Sequence, residues 1–100
     1  MRAPQTAADR EHVFHLYVVR TGERDALREH LTGLGIQTGL HYPVPLHLQA
    51  AFTNGKDRTG AYPVAERWAR TGLSLPIFAE MTPDQQAEVI QGVKSFSLVA

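Results

Sequence analysis

The sequence predicts an α+β domain with one small sheet of about three strands and helices mainly on one face, in the order β-α-β-loop-α-β-α. Three observations support this prediction. The chain has 100 residues, which suffices for one hydrophobic core but not for two. The spacing of apolar residues changes between the alternation of strands and the longer repeat of helices. Two predicted helices end at a glycine and are followed directly by a segment of strand character.

The first strand is predicted over residues 12–20, where β-branched and aromatic side chains are frequent. Alternation gives it two partly apolar faces, one with Phe14, Leu16 and Val18 and the other with Val13, His15, Tyr17 and Val19. The preceding residues 1–11 are polar and without period. We interpret them as a flexible leader or the remnant of a linker, so the domain is predicted to occupy residues 12–100.

A first helix is predicted over residues 22–34 from four side chains at helical spacing, Leu27, His30, Leu31 and Leu34. We interpret His30 as a partly buried core histidine. Thr21 is expected to cap the start of the helix, and Gly35 to adopt the left-handed conformation just past its end. This turn brings Ile36 back onto Leu31, and a second strand is predicted to follow over residues 36–42.

The next helix is predicted over residues 63–71, with Pro63 at its first position. Gly72 follows its last turn and is expected to close it as Gly35 closes the first helix. Leu73 is then expected to pack onto Trp68. We therefore interpret Trp68 as an anchor of the core.

The last strand is predicted over residues 73–77, and Pro76 either places it at an edge of the sheet or ends it. The final helix begins with a capping box made by Thr82 and Gln85, with Pro83 at the first helical position. Its inward stripe is predicted to consist of Val89, Ile90, Val93 and Phe96. Gly92 is expected to weaken this helix slightly.

A connection of nearly twenty residues, 43–62, is predicted to contain one helical turn over residues 46–52 and a turn at Asn54–Gly55. It begins within the segment 41–47, His-Tyr-Pro-Val-Pro-Leu-His, where each proline fixes its own φ and keeps the residue before it out of the helical region. A stiff polar loop at a strand end is typical of binding or catalysis. The same prolines are also compatible with a plain connection.

The composition excludes several classes of function. Ten basic and ten acidic residues give zero formal charge, which does not favour a nucleic-acid partner. There is no cysteine, no run of residues resembling a signal sequence, and no apolar segment long enough to span a bilayer. We therefore expect no membrane association and a soluble, cytoplasmic chain.

The residues themselves predict neither a metal site nor a catalytic centre. His12 and His15 point to opposite faces of an extended strand, and His41 and His47 have no third metal ligand nearby in sequence. No serine lies in a nucleophile elbow, and no glycine pattern forms a phosphate-binding fingerprint. We expect no catalytic, cofactor-binding or metal-binding residue that is sufficient on its own.

Several blocks of the sequence nevertheless resemble a known family. They are residues 12–20, Arg24-Asp25-Ala26-Leu27 with His30-Leu31, Gly35 to Gln49, Tyr62 to Arg67, and Leu73-Ser74-Leu75-Pro76. In this order they are similar to the C-terminal small domain of the DegT/DnrJ/EryC1/StrS aminotransferases. The resemblance implies the small domain of a fold-type I transferase that depends on pyridoxal phosphate.

Members of that family transfer an amino group, usually from glutamate, to a keto sugar carried by a nucleotide, and they act as homodimers. The resemblance implies that the Schiff-base lysine, the carboxylate facing the pyridine nitrogen and the phosphate cup belong to a large domain. Only Lys56 and Lys94 are present here, and we interpret both as surface lysines. The chain is therefore expected to bind no coenzyme tightly and to be inactive alone. Its expected partners are a large domain of the parent enzyme or a second copy, and a nucleotide-sugar substrate in the complete enzyme.

The resemblance also implies a substrate-binding loop, consisting of His41, Tyr42, Pro43, Pro45 and His47. His41 or Tyr42 is expected to hydrogen-bond the substrate or groups close to the coenzyme, and His47 to brace the loop, although all three could merely fix the loop internally. Glu66 and Arg67 are interpreted as a surface or interdomain ion pair.

Two alternatives remain at this point, a stand-alone α+β protein-interaction module and a truncated gene product. A domain separated from a larger enzyme is expected to expose an apolar patch, which we predict at residues 12–20 and 46–52.

Overall fold

The computed structural model describes residues 1–99 and contains two strands, four α-helices and one 3₁₀ turn. The order along the chain is β1 (Tyr17–Arg20), α1 (Arg24–Gly33), the 3₁₀ turn (Leu46–Leu48), α2 (Ala50–Thr53), α3 (Pro63–Thr71), β2 (Gly72–Leu75) and α4 (Pro83–Val99). The α+β class and the order of the helices agree with the prediction. The sheet is smaller than predicted.

Strands β1 and β2 pair antiparallel, with Val19 opposite Leu73. A single bridge extends the sheet on each side, from Arg2 to Arg20 and from Gly39 to Ser74. The predicted strand 36–42 is thus reduced to one residue pair. The chain turns away after Gly39 toward Pro43, which has no N–H to donate to a ladder.

The first strand begins at Tyr17, so the prediction that it begins at residue 12 was wrong. Phe14 has a left-handed backbone with φ of 51°, and its N–H donates to Nδ1 of His12 over 2.7 Å. The two rings stack with their centroids 4.2 Å apart. This local turn replaces the extended backbone that a ladder requires.

The core lies between the sheet and the two longest helices. It consists of Val19, Leu27, Leu31, Ile36 and Leu73, and Val89, Val93 and Phe96 of α4 pack against it. Ile90 is 45% exposed, so its assignment to the inward stripe was wrong. Gly92 is buried where α4 meets α1. There is no space for a larger residue at this position, since an added Cβ would lie 2.7 Å from Cδ1 of Ile36.

The predicted helix ends are mostly confirmed. Gly35 has φ of 77°, and the N–H of Ile36 donates to the carbonyl of Leu31 over 2.9 Å. Thr82 and Gln85 form the reciprocal bonds of a capping box over 2.9 and 3.2 Å. The expectation that Thr21 caps the first helix was wrong. Glu23 stands at the N-cap of α1 without a side-chain cap bond, and the hydroxyl of Thr21 accepts the N–H of Glu23 ahead of the helix.

The expectations for the end of α3 were wrong. Gly72 has φ of −79° and enters β2 in extended conformation. A glycine is needed there because a Cβ would lie 2.9 Å from the carbonyl oxygen of Trp68. Trp68 is 44% exposed, with the guanidinium carbon of Arg20 4.1 Å from its ring centre, and is not a core anchor. Leu73 is buried among the core residues instead.

No helix in the described part of the chain is long and apolar enough to cross a membrane.

Candidate functional site

The proline loop, residues 41–47, lies between the Gly39 bridge and the helical segments that precede α3. Its first part is open to solvent: His41 and Pro43 are exposed and Tyr42 is 71% exposed. The peptide bond between His41 and Tyr42 is cis, and the two rings meet edge to face with centroids 5.3 Å apart. Pro45 is half-buried and accepts the N–H of Leu48 at the start of the 3₁₀ turn.

The ring of His41 is held from β2. Its Nδ1 lies 2.8 Å from Oγ of Ser74, whose side chain is buried. The backbone of Ser74 also exchanges both hydrogen bonds with Gly39, over 2.8 and 2.9 Å. The side chain of His41, the first residue of the loop, is therefore fixed to β2.

His47 closes the loop from inside. It is 7% exposed, and its Nε2 donates to Oε1 of Glu66 on α3 over 2.8 Å. The same carboxylate oxygen accepts the N–H of Gly60 over 2.7 Å, and the ring of Tyr62 packs edge-on against His47 at 4.9 Å. The hydrogen bond from His47 lowers the pKa of Glu66 from its ordinary value, against the raising effect of burial.

Glu66 is thus a buried brace of the loop, and the interpretation of Glu66 and Arg67 as an ion pair was wrong. Arg67, next to it on α3, is exposed, and within the described residues no salt bridge joins the two. The expected bracing role of His47 has a partner here that the sequence did not identify.

An apolar groove of about 440 Å³ runs between the proline loop and α3. Tyr42, Val44, Leu46 and Trp68 line it, and all four are at least 44% exposed. The side chains of Phe52 and Tyr62 line a second hollow of about 350 Å³ beside it. These exposed apolar groups form one continuous face of the domain, which we call the loop–α3 face.

The loop–α3 face agrees with the predicted patch at residues 46–52 and extends it onto α3. At the other predicted location, Val13 is 89% exposed. Exposed apolar side chains concentrated in this way are typical of surfaces that bind another protein or domain.

The two loop histidines hydrogen-bond different elements, His41 to Ser74 on β2 and His47 to Glu66 on α3. Among the described residues, no group of three or more side chains is placed to hold a metal ion. Ser74 and Glu66 were missed as site residues from the sequence. Their only signal was their place within the blocks 73–76 and 62–67 that carry the family resemblance.

Comparison with known proteins assigns the chain to a family. The model of the DegT/DnrJ/EryC1/StrS aminotransferase family matches residues 1–94. The chain belongs to this family. It is 45% identical over 94 residues to the dTDP-3-amino-3,4,6-trideoxy-alpha-D-glucose transaminase of Streptomyces venezuelae. The match covers 94% of this chain and 25% of that protein.

Solved structures share the fold. DesV of S. venezuelae superposes with a TM-score of 0.91 at 44% identity, over 95% of this chain and 26% of that one. TlmJ of Streptoalloteichus hindustanus gives a TM-score of 0.84 at 30% identity, over 99% and 27%. The chain therefore spans about a quarter of the length of the relatives it matches.

The family resemblance raises the question whether this chain's own residues fit pyridoxal phosphate. Both lysines are exposed, Lys56 in the turn after α2 and Lys94 on α4. A Schiff-base lysine is ordinarily desolvated beside its coenzyme, so neither fits that role.

Proposed function

We propose that this chain is the C-terminal small domain of a pyridoxal-phosphate-dependent aminotransferase that acts on nucleotide-linked keto sugars. In this proposal the proline loop forms one wall of the substrate site. His41 and Tyr42 present polar groups to the substrate, Pro43 and Pro45 fix the path of the backbone, and His47 braces the loop.

One observation carries the assignment of the loop: it is held from inside but open at its tip. His47 is 7% exposed and bonded to a buried carboxylate, whereas Tyr42, five residues earlier, is 71% exposed. A loop that served only to connect two elements would not need to hold a large aromatic side chain in solvent. Preorganised polar groups on a rigid support are what a binding site requires.

The missing part of the site belongs, in this proposal, to a large domain that contacts the loop–α3 face. The relatives are about four times as long as this chain, which leaves room for such a domain. When bound there, the coenzyme supplies the electron sink for amino transfer. The residues of this chain would orient the sugar nucleotide and exclude water from it.

A chimera tests the proposal. The corresponding quarter of the S. venezuelae transaminase is replaced by this chain, and transamination is measured with that enzyme's own substrate. We expect an active chimera. His41→Ala and Tyr42→Ala should each lower kcat/KM by about 3- to 10-fold, the effect of one lost hydrogen bond to substrate.

Lys94→Ala provides the control, since it removes an exposed side chain on α4, away from the loop. It should leave kcat/KM unchanged. A chimera that assembles and retains coenzyme, but in which the two loop variants behave like the control, would contradict the assignment of the loop. A well-folded chimera without any activity would contradict the assignment of the chain.

A further inference from the structure

The hydrogen bond between His41 and Ser74 has a direction that the burial of Ser74 decides. Oγ of Ser74 lies 2.8 Å from Nδ1 of His41, and Ser74 is only 5% exposed. Within the described residues, Nδ1 is the polar atom that this hydroxyl reaches. If Nδ1 carried a hydrogen and donated it, the hydrogen of the hydroxyl would be left buried without an acceptor.

A buried donor without a partner costs more free energy than a buried acceptor with a free lone pair. The hydroxyl therefore donates and Nδ1 accepts. In the neutral imidazole the ring hydrogen must then reside on Nε2. His41 is exposed, and its Nε2 has no hydrogen-bond partner among the side chains that the structure describes.

A second contact fixes the position of the same ring. A Cβ on Gly39 would lie 2.8 Å from Cε1 of His41 and 3.3 Å from Nδ1. The ring thus lies directly against the backbone of Gly39, which is itself bridged to Ser74. The backbone of Gly39 thus fixes the position of the His41 imidazole, and the hydroxyl of Ser74 fixes its tautomer.

We propose that Ser74 is a positioning residue for His41, which it holds as an Nε2–H donor toward an oxygen acceptor of the substrate. The inference rests on the proposed function for the role of His41, but the orientation itself belongs to this chain. A donor of this kind fits a hydroxyl, carbonyl or phosphoryl oxygen of a sugar nucleotide. It does not fit a cation.

The test is nuclear magnetic resonance of the ¹⁵N-labelled chain, at a pH where imidazoles are neutral. In the wild-type protein we expect Nδ1 of His41 to resonate as a bare acceptor and Nε2 as an N–H. We also expect an Overhauser contact between Hε1 of His41 and the α-protons of Gly39. In Ser74→Ala the contact should be lost, and the two nitrogen shifts should move toward each other as the tautomers interconvert.

The chain contains a matched control, because Oγ of Ser95 lies 2.9 Å from Nε2 of His30. Ser95→Ala removes the same kind of hydroxyl and should alter the shifts of His30 while leaving those of His41 unchanged. Gly39→Ala is a second variant, in which the hydroxyl stays but the added methyl displaces the ring. It should move the His41 shifts even if Ser74→Ala fails to fold.

Two results would overturn the inference: a wild-type His41 that carries its hydrogen on Nδ1, or a ring whose shifts and contact are the same in Ser74→Ala and Gly39→Ala as in the wild type. Neither substrate nor coenzyme is present in this experiment. A negative result here would therefore disprove the role of Ser74 without testing the proposed function, which the chimera tests separately. An inactive chimera, in turn, would not bear on the orientation of the His41 ring.

Discussion

Gly92 sits where α4 crosses α1, and replacing it by alanine sets two effects of opposite sign against each other. Alanine favours an interior helical position over glycine by about 0.8–1.0 kcal/mol. The added methyl, however, would lie 2.7 Å from Cδ1 of Ile36 and 3.0 Å from Cδ2 of Leu31. Both side chains are buried, so they have little space in which to yield. Overpacking of this kind costs about 1–3 kcal/mol.

Overpacking therefore outweighs propensity, and Gly92→Ala should lower the free energy of unfolding by about 0–2 kcal/mol. Gly33→Ala provides the matched comparison, because this glycine ends α1 with no heavy atom within 4 Å of the added methyl. It should be neutral or stabilise by up to about 1 kcal/mol. With the same propensity gain at both positions, only the overpacking cost of about 1–3 kcal/mol separates the two variants, although both make the same chemical change.

Urea unfolding measures this difference. With a slope of about 1–3 kcal/mol/M for a small domain, a gap of 1 kcal/mol moves the midpoint by about 0.3–1 M. Equal midpoints for the two variants, or a higher midpoint for Gly92→Ala, would refute the reasoning. In that case α4 would not approach α1 as closely as the distances to Ile36 and Leu31 require.

Three further predictions concern the site. Folding lowers the pKa of Glu66, so the stability that its carboxylate contributes is fully present above the ordinary pKa of 4.5 and is lost as the pH falls through the pKa of the folded state. Glu66→Gln should therefore flatten the dependence of the urea midpoint on pH below 4.5. An unchanged slope would contradict the hydrogen bond to His47. Incubation of the chain with equimolar pyridoxal phosphate, followed by borohydride, should label Lys56 and Lys94 only weakly and to a similar extent in peptide mass spectra, as exposed amines do; selective, stoichiometric labelling of either would contradict a site completed elsewhere. Trp68 is the only tryptophan and is 44% exposed, so its emission should be that of a solvated indole, readily quenched by acrylamide; a blue-shifted, protected emission would contradict its place on the loop–α3 face.

Most of the helices could be predicted because their signals are local. Pro63 and Thr71 bound α3 in both the prediction and the structure, and Thr82 with Gln85 opens α4. Caps, helical spacing and a left-handed glycine act within a few residues, so the sequence pattern reports them directly. The same holds for Gly35, whose turn returns Ile36 to Leu31.

The strands were predicted less well because pairing is decided by residues far apart in the chain. The segment 12–16 has strand composition, but the bond from Phe14 to His12 takes its backbone out of extended geometry. Glycines carry a similar ambiguity. The pattern treated Gly72 and Gly35 alike, yet one has a positive φ and the other only needs to avoid the carbonyl of Trp68.

The candidate site divides along the same line. The loop itself was visible in the sequence, because two prolines between histidines restrict the backbone wherever they occur. Its supports were not visible, since Ser74 lies 33 residues from His41 and Glu66 lies 19 from His47. Which serine and which carboxylate contact the two histidines is decided by the tertiary structure and cannot be read from the local sequence.

The placement of these two supports bears on the proposed function. Ser74 is on β2 and Glu66 on α3, two elements joined directly at Gly72, so both ends of the loop are fixed to one continuous stretch of chain. The shape of the loop is therefore supported by contacts within this chain. A chimera should therefore carry its loop geometry with it, and sequence differences at the domain boundary should affect affinity for the large domain before they affect the orientation of His41.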